Sequence, residues 1–422
     1  MTTSPYNYLI KSDDAFIVYN SMSNALLTVD EDIFNRLSSA NPESVAKDDF
    51  DSDDWELLKS KRIIVENSHD EWLRYKAAIM PMRNMQNVIS LTIATTLDCN
   101  YSCFYCFETK KKLYITDEVI DNILALIKRQ PALQQLQVTW FGGEPLMAYD
   151  KIERFNALLE LPQSATYSTN IITNGYYLTE DVILSLKKNK IDSIQLTLDG
   201  LKDTHNKRKR CATTKDTFTA VFNNIDTFVK HEKDILLTIR VNLDENNKHE
   251  FIELSDFIYR RYPEAKNIRV VPAFITDIDS GDCKTCNLDR DAMARFIQSL
   301  SSQTGDTSQL YPTNMFSECT IRNPNILVVA PNGKLTKCLE TVGDPSYEFG
   351  ELTKDGIRLT NEAVLNRYLY GADPMEDEEC KACSLLPICF GGCPHKRLEN
   401  KYNNATFNVC SSFKGNLSSY LT

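Results

Sequence analysis

The middle of the chain alternates short apolar runs with longer helical patterns, and this alternation limits the fold more than any other feature. Strands alternating with helices form βαβ units, whose strands are parallel. Six strands are too few for a closed eight-stranded barrel. An α/β fold is therefore expected, a partial (β/α)6 TIM-like barrel. The predicted strands are 89–95, 136–141, 167–173, 193–198, 236–242 and 268–272, with helices near 117–129, 151–161, 179–188, 217–231 and 249–259.

The two flanks of this region differ from it. Before it, three short strand patterns, two helical patterns, a fourth strand and a long helix predict a small α+β module. After it, the chain is irregular and rich in cysteine, as expected of a domain that metal clusters hold together. The predicted domains are residues 1–85, 86–275 and 276–422.

Composition excludes several classes of protein. The net charge of −11 disfavours nucleic-acid binding. No apolar stretch approaches the roughly 18 residues of a membrane span, and Met1 to Leu9 do not form a secretion signal. Thirteen cysteines, an odd number, in a chain of this length favour a reducing cytoplasm over a disulfide framework. Clustered thiols there bind metal or carry out redox chemistry.

The first cysteine cluster follows the first strand of the predicted barrel. Cys99, Cys103 and Cys106 have the spacing C-x3-C-x2-C. Three thiolates on one loop suit a 4Fe–4S cluster with one iron left open, since a closed cluster takes four ligands. An open iron can bind a substrate or cofactor, as the open position of a catalytic zinc does. The alternatives are a structural zinc site or buried free thiols.

This spacing, with the aromatic Tyr105 before the last cysteine, resembles the signature of the radical SAM superfamily. The resemblance implies that Cys99, Cys103 and Cys106 are catalytic and that the open iron chelates S-adenosylmethionine (SAM). One electron from the cluster then splits SAM into methionine and a 5′-deoxyadenosyl radical, which abstracts hydrogen. The protein places and shields the cofactor.

Further motifs resemble those of the same superfamily, and each follows a predicted strand. The GGEP motif follows the second, and its Glu144 is expected to accept a hydrogen bond from the SAM ammonium. The TNG motif follows the third. A DG…H…R segment follows the fourth, where an arginine usually pairs with the SAM carboxylate. The residues expected to contact SAM are Tyr105, Gly142, Gly143, Glu144, Pro145, Thr173, Asn174, Asp199, Arg208, Arg210 and Asn242. Arg208 and Arg210 are both candidates for the arginine role. Arg240 and Asn242 end the fifth predicted strand, and the alternatives there are side chains that face the cavity or a surface position.

The last part of the chain contains seven spaced cysteines, which are Cys319, Cys338, Cys380, Cys383, Cys389, Cys393 and Cys410. This pattern resembles the SPASM domain, which holds two auxiliary 4Fe–4S clusters. Two zinc sites are the alternative. The family's ligation pattern implies a distal cluster on Cys380, Cys383, Cys389 and Cys410, and a proximal cluster on Cys319, Cys338 and Cys393. The proximal cluster then lacks a ligand. Either Cys283 or Cys286 supplies it, or the open iron binds a substrate thiol.

The N-terminal module resembles the winged-helix-like leader-recognition elements of maturases that modify ribosomally made peptides; a structural cap on the barrel is the alternative. Such elements pair an extended leader with a sheet edge. The expected function is a radical SAM peptide maturase that installs a crosslink, first of all a thioether from a cysteine sulfur to carbon. Its partners are a precursor peptide with a leader and an external one-electron donor of the flavodoxin or ferredoxin type. Carbon–carbon or carbon–oxygen crosslinking, formylglycine formation as in anaerobic sulfatase maturases, and a binding protein without catalysis are the alternatives.

Overall fold

The computed structural model describes residues 1–12, 14–39, 45–275, 288–305, 311–312 and 319–421. The strands are β1 (Thr2–Thr3), β2 (Asn7–Lys11), β3 (Phe16–Asn20), β4 (Ala25–Val29), β5 (Ile64–Val65), β6 (Val88–Thr96), β7 (Tyr101–Cys103), β8 (Gln135–Gly142), β9 (Thr166–Thr173), β10 (Ser193–Thr197), β11 (Lys209–Cys211), β12 (Leu236–Leu243), β13 (Ile268–Phe274), β14 (Ile326–Val329), β15 (Lys334–Thr336), β16 (Gly350–Thr353) and β17 (Gly356–Leu359). The α-helices are α1 (Glu31–Ser39), α2 (Ser52–Ser60), α3 (Ser68–Arg83), α4 (Asp117–Lys128), α5 (Tyr149–Leu158), α6 (Glu180–Ser185), α7 (Lys202–Arg208), α8 (Thr217–His231), α9 (Phe251–Arg261), α10 (Arg290–Thr304), α11 (Glu362–Asn366), α12 (Glu378–Lys381), α13 (Leu386–Cys389), α14 (Pro394–Tyr402) and α15 (Leu417–Leu421).

The chain divides into two compact units. The first comprises Met1–Asn84, Asp289–Asn323 and Arg367–Thr422, and the second comprises Met85–Leu288 and Pro324–Asn366. Residues 324–366, which belong to the C-terminal domain in the sequence prediction, thus group with the barrel strands. The three domains expected from the sequence are defined by function and stay a prediction.

A ten-stranded sheet organises the second unit, in the order β13-β12-β10-β9-β8-β6-β14-β15-β16-β17. The strands from β13 to β6 are the six predicted from the sequence, and each pairs in parallel with its neighbours. The predicted helices correspond to α4, α5, α6, α8 and α9. Among the described strands, β13 and β17 have one neighbour each and do not pair with one another, which confirms the α/β partial barrel. Its core consists of strand residues that are almost fully buried, among them Leu91, Val138, Trp140, Ile171, Leu196 and Ile239.

Besides the short helices α7 and α11, two features of this unit were not predicted. Strand β14 extends the sheet in parallel with β6, and β15 to β17 continue it in antiparallel order. A separate ribbon pairs β7 with β11 in antiparallel register, so Lys209 faces Cys103 and Cys211 faces Tyr101. The ribbon ties the first cysteine loop to the segment after α7.

The first unit contains a three-stranded antiparallel sheet in the order β2-β3-β4 and a small β1–β5 pair. Val18 packs with apolar residues of α1 and α2 in one core. Tyr6, Tyr75 and Ile79 pack with Met375 and Leu386 in another. The elements match the strands and helices predicted there, while their winged-helix-like role stays a prediction. Among the described residues, no helix is both long and apolar enough to cross a membrane.

Candidate functional site

The first cysteine loop begins where β6 ends. The backbone N–H of Tyr101 lies 3.4 Å from the Cys99 sulfur, and the N–H of Cys106 donates to the Cys103 carbonyl at 3.3 Å. Burial raises the pKa of Cys99 to about 12 and also raises the pKa of Cys106. A buried thiolate is costly without a compensating charge. Iron would supply that charge, so three half-buried thiols on one loop fit a metal cluster.

The donor set suits an iron–sulfur cluster better than a single ion. Among the residues that the structure describes, no three Cys, His, Asp or Glu side chains are grouped closely enough to hold one metal ion. A zinc ion would need its sulfurs within about 4 Å of one another, because each Zn–S bond is about 2.3 Å. A 4Fe–4S cluster separates its thiolates further, since each thiolate binds a different iron atom.

The two glycines of the GGEP motif lie directly on this cysteine loop. Gly143 N–H donates to the Thr96 carbonyl, and Glu144 N–H donates to the Asp98 carbonyl, both at 2.9 Å. A Cβ atom on Gly143 would lie 2.1 Å from the Asp98 carbonyl oxygen, and Gly142 has a φ of +115°. The structure therefore explains these glycines by the close approach of two backbones.

Glu144 joins the GGEP motif to the TNG motif. Its carboxylate is fully buried and accepts hydrogen bonds from the N–H of Leu146 at 3.0 Å, the Thr173 hydroxyl at 2.7 Å and the N–H of Asn174 at 2.8 Å. Burial raises the pKa of Glu144 to about 7, because its effect is larger than that of these hydrogen bonds, which lower the pKa. The Asn174 amide donates to the Asn100 side chain at 2.8 Å.

The Asn174 amide nitrogen also lies 3.8 Å from the Cys99 sulfur. Pro145 starts a 3-10 turn, and its carbonyl accepts a hydrogen bond from Thr95. The cysteine loop, GGEP and TNG are thus in contact at the carboxyl ends of β6, β8 and β9. Ligand sites of parallel sheets occur at this edge.

Asp199, Tyr105 and Asn242 form a second buried group. The Tyr105 hydroxyl donates to the Asp199 carboxylate, and the Asn242 amide donates to the same carboxylate at 3.2 Å. Burial raises the pKa of Tyr105. Burial alone would also raise the pKa of Asp199, but the Lys209 and Arg208 cations outweigh it and hold that pKa below its ordinary value.

Arg208 and Arg210, the two candidates for the SAM carboxylate, lie in different environments. Arg208 is buried, pairs with Asp244 at 2.6 Å and donates to the Asn242 carbonyl at 3.0 Å. Arg210 is exposed, and its Nε donates to the Lys207 carbonyl. Neither position tests the expected contact with SAM, which stays a prediction.

Three charged residues were missing from the expected site set. Lys209 is buried, with its Nζ 3.1 Å from the Thr197 hydroxyl and 3.6 Å from the Asp199 carboxylate. Arg240 was expected at the end of the fifth strand but was given no contact with SAM, and its Nε donates to the Asn242 side chain at 2.9 Å. Glu108 is mostly buried, which raises its pKa to about 7, and its only sequence signal is proximity to Cys106.

The C-terminal cysteines lie in both units. Cys380 accepts from Arg397 Nη1 at 3.5 Å, and the Lys414 ammonium, whose pKa is raised, interacts with both Cys410 and Cys383. These three, with Cys389, Cys393 and Cys319, belong to the first unit, and Cys338 belongs to the second. Cys283 and Cys286 lie outside the described residues. The cluster ligation expected from the sequence stays a prediction.

The radical SAM superfamily model matches residues 93–258, which include the first cysteine loop, GGEP, TNG and the buried Asp199 group. The chain therefore carries a radical SAM domain and is an enzyme of that class.

Its relatives specify the class further. The chain is 24% identical over 361 residues to the cysteine-type anaerobic sulfatase-maturating enzyme of Clostridium novyi (strain NT), covering 78% of this chain and 94% of that one. A solved structure of anSMEcpe with bound AdoMet and the Kp18Cys peptide has a TM-score of 0.60 at 19% identity, covering 79% of this chain and 96% of that one. Streptococcus suis SuiB has a TM-score of 0.54 at 16% identity, covering 97% of this chain and 100% of that one. Another SuiB structure contains the precursor peptide SuiA.

Proposed function

We propose that this radical SAM enzyme is a SPASM-type peptide maturase, which binds a ribosomally made precursor through its leader and crosslinks it. The crosslink removes two hydrogens from the peptide, and a thioether between a cysteine sulfur and a carbon is the first candidate. SAM and the iron–sulfur cluster, when bound, supply the 5′-deoxyadenosyl radical that removes a hydrogen atom. Two auxiliary clusters on the C-terminal cysteines complete the proposed cofactor set.

The observation that carries the proposal is the additional N-terminal sheet. In the order β2-β3-β4, strand β4 has β3 as its one neighbour among the described strands, so its outer backbone groups are available. An extended peptide can add to such an edge by main-chain hydrogen bonds. Leu26 on β4 is 40% exposed and offers an apolar contact beside that edge.

The extent of the fold likeness supports a substrate of the kind that SuiB takes. The anSMEcpe likeness spans 79% of the chain, whereas the SuiB likeness spans 97%. SuiB has been solved with its precursor peptide. The extra length therefore favours a substrate that carries a leader.

The site residues have separable proposed roles around SAM. Glu144 accepts a hydrogen bond from the SAM ammonium, whose positive charge would favour the ionised form of a carboxyl with a pKa near 7. Asn174 and Asn242 offer amide groups at the edge of the same strands. Cys99, Cys103 and Cys106 leave one iron of the cluster open for SAM.

The test is co-expression with the small peptides encoded beside the gene, followed by mass spectrometry. A crosslink appears as the loss of two hydrogens, and fragmentation locates it. Leu26→Glu should weaken precursor binding about tenfold by placing a charge on the β4 surface. Leu359→Glu, at a leucine of the second unit with a similar exposure of 45%, should not. Unmodified peptides from every candidate precursor would contradict the proposal.

Formylglycine formation is the second candidate, and the curated sulfatase-maturating relatives favour it. The same mass spectra distinguish it. Conversion of a cysteine to formylglycine turns the CH2–SH side chain into an aldehyde, so one sulfur and two hydrogens are lost, one oxygen is gained and no crosslink forms. A sulfatase-derived peptide modified in this way, with precursor peptides unchanged, would replace the first proposal by the second.

A further inference from the structure

An exposed group of cations lies beside the first cysteine loop. Lys207, Arg210 and Lys215 line an open depression of about 420 Å³ in the second unit, together with Cys211 and Asp203. None of the three cations forms an ion pair with a carboxylate in the part of the chain that the structure describes. We name Lys207, Arg210 and Lys215 the ribbon patch.

Neighbouring charges do not cancel the ribbon patch. Asp216 is paired with Lys202 at 2.6 Å, and the buried Asp199 and Asp244 are compensated by Arg208. Asp203 is the acidic side chain that lines the depression. The patch is therefore a local positive region on a chain whose net charge is −11.

The patch borders the strand that carries a cluster ligand. In the β7–β11 ribbon, Arg210 faces Ser102 and the adjacent Lys209 faces Cys103. Strands of a sheet lie about 4.8 Å apart, so the backbone of Arg210 is about that far from the backbone of β7, which carries Cys103. Lys110, also exposed, donates to the Ser102 hydroxyl at 3.1 Å and adds positive charge on the same side.

We propose that the ribbon patch is the docking surface for an acidic one-electron carrier protein. The proposal rests on the radical SAM class, because SAM cleavage begins with one electron delivered to the cluster. The carrier loses that electron and the cluster gains it, with no proton or bond transferred in this step. The net charge of this chain, −11, repels an acidic carrier, so attraction to a local cationic region would direct it to the correct face.

The test reverses charge at two lysines and leaves Arg210 intact, since Arg210 is a candidate for binding SAM. The variants are Lys207→Glu, Lys215→Glu and their combination. Lys188→Glu is the matched control, an exposed lysine just before β10 at the opposite end of the barrel strands. Cluster-loaded enzyme is titrated separately with an acidic flavodoxin and an acidic ferredoxin, and the dissociation constant is measured at low and high salt.

The double variant should bind its carrier about tenfold more weakly at low salt, and the difference should vanish near 1 M salt, where the screening length falls to about 3 Å. Carrier-driven reduction of the cluster, followed by electron paramagnetic resonance, should slow to the same extent. Reduction by photoexcited deazaflavin, a small uncharged donor, should be unchanged. The carrier that responds identifies the type of donor.

The proposal would be overturned if neither carrier binds the wild-type enzyme, or if the double variant binds the carrier as tightly as wild type. It would also be overturned if Lys188→Glu weakens carrier binding as much as the double variant does. Loss of affinity for the precursor peptide instead of the carrier, in the double variant, would overturn it as well. Failure of the radical SAM function itself would appear differently. SAM would then remain uncleaved after deazaflavin reduction, whatever the carrier affinities.

Discussion

Replacing Arg208 by methionine should destabilise the barrel, because its guanidinium compensates buried carboxylates. Arg208 pairs with Asp244 at 2.6 Å, lies 3.6 Å from Asp199 and donates to the Asn242 carbonyl at 3.0 Å. Asp199 keeps Lys209 as a second cation, but Asp244 is fully buried and has no other cation within ion-pairing distance among the described residues. Methionine retains most of the side-chain volume and removes the charge.

The expected cost follows from leaving one buried charge unpaired, about 3–5 kcal/mol. For a folding unit of this size that cost lowers the midpoint of thermal unfolding by about 6–20 °C. Circular dichroism of anaerobically purified enzyme measures it. Arg210→Met is the matched control, and it should shift the midpoint by less than about 2 °C because Arg210 is exposed.

The partner variant separates pairing from packing. Asp244→Asn removes the opposite charge and keeps the shape of the side chain. The double variant combines Arg208→Met with Asp244→Asn. Its loss of unfolding free energy should be about 1–3 kcal/mol smaller than the sum of the losses in the two single variants. Strict additivity, or a single Arg208→Met variant as stable as wild type, would refute the assignment of Arg208 as a compensating buried charge.

Two further predictions follow from backbone contact and from burial. In Gly143→Ala the new Cβ meets the Asp98 carbonyl oxygen at 2.1 Å. This variant should therefore destabilise the second unit by about 1–3 kcal/mol and lower the amount of iron bound by the first cysteine loop. An unchanged iron content would contradict this prediction. Burial lowers the pKa of His205 to about 3. Below pH 6.5, His205 therefore binds a proton in the unfolded chain but stays neutral in the folded protein. The stability present above pH 6.5 is lost as the pH falls, by about 2 kcal/mol at pH 5. His205→Asn keeps an acceptor for the Asp199 N–H. In thermal unfolding at pH 8 and pH 5, this variant should lose less stability between the two pH values than wild type does. An identical loss would show that other groups cause the pH dependence.

The barrel was predictable because its periodicity is local. Most of the parallel strands bury alternate residues along a short run, and the helical spacing between these runs leaves few other topologies. That topology also places the ends of β6, β8 and β9 at one edge, so contact among Cys99, Glu144 and Asn174 followed from motif order alone.

The β7–β11 ribbon could not be predicted in the same way. Its strands are three residues long, too short for a periodic signal, and their pairing joins segments more than a hundred residues apart. The different environments of Arg208 and Arg210 follow from it. Arg208 ends α7 and is buried, while Arg210 lies in β11 and is exposed, so the change from helix to strand decides which side chain faces inward. Strands β15 to β17 are three or four residues long and were missed for the same reason.

Anaerobic reconstitution followed by reduction tests the central claim most directly. Wild-type enzyme should bind about twelve iron atoms per chain, from three four-iron clusters, and should form 5′-deoxyadenosine from SAM on reduction. The triple replacement of Cys99, Cys103 and Cys106 by alanine should retain about eight iron atoms, since two clusters remain, and should form no 5′-deoxyadenosine. SAM cleavage that survives this replacement would contradict the assignment of the first cysteine loop as the radical-generating site.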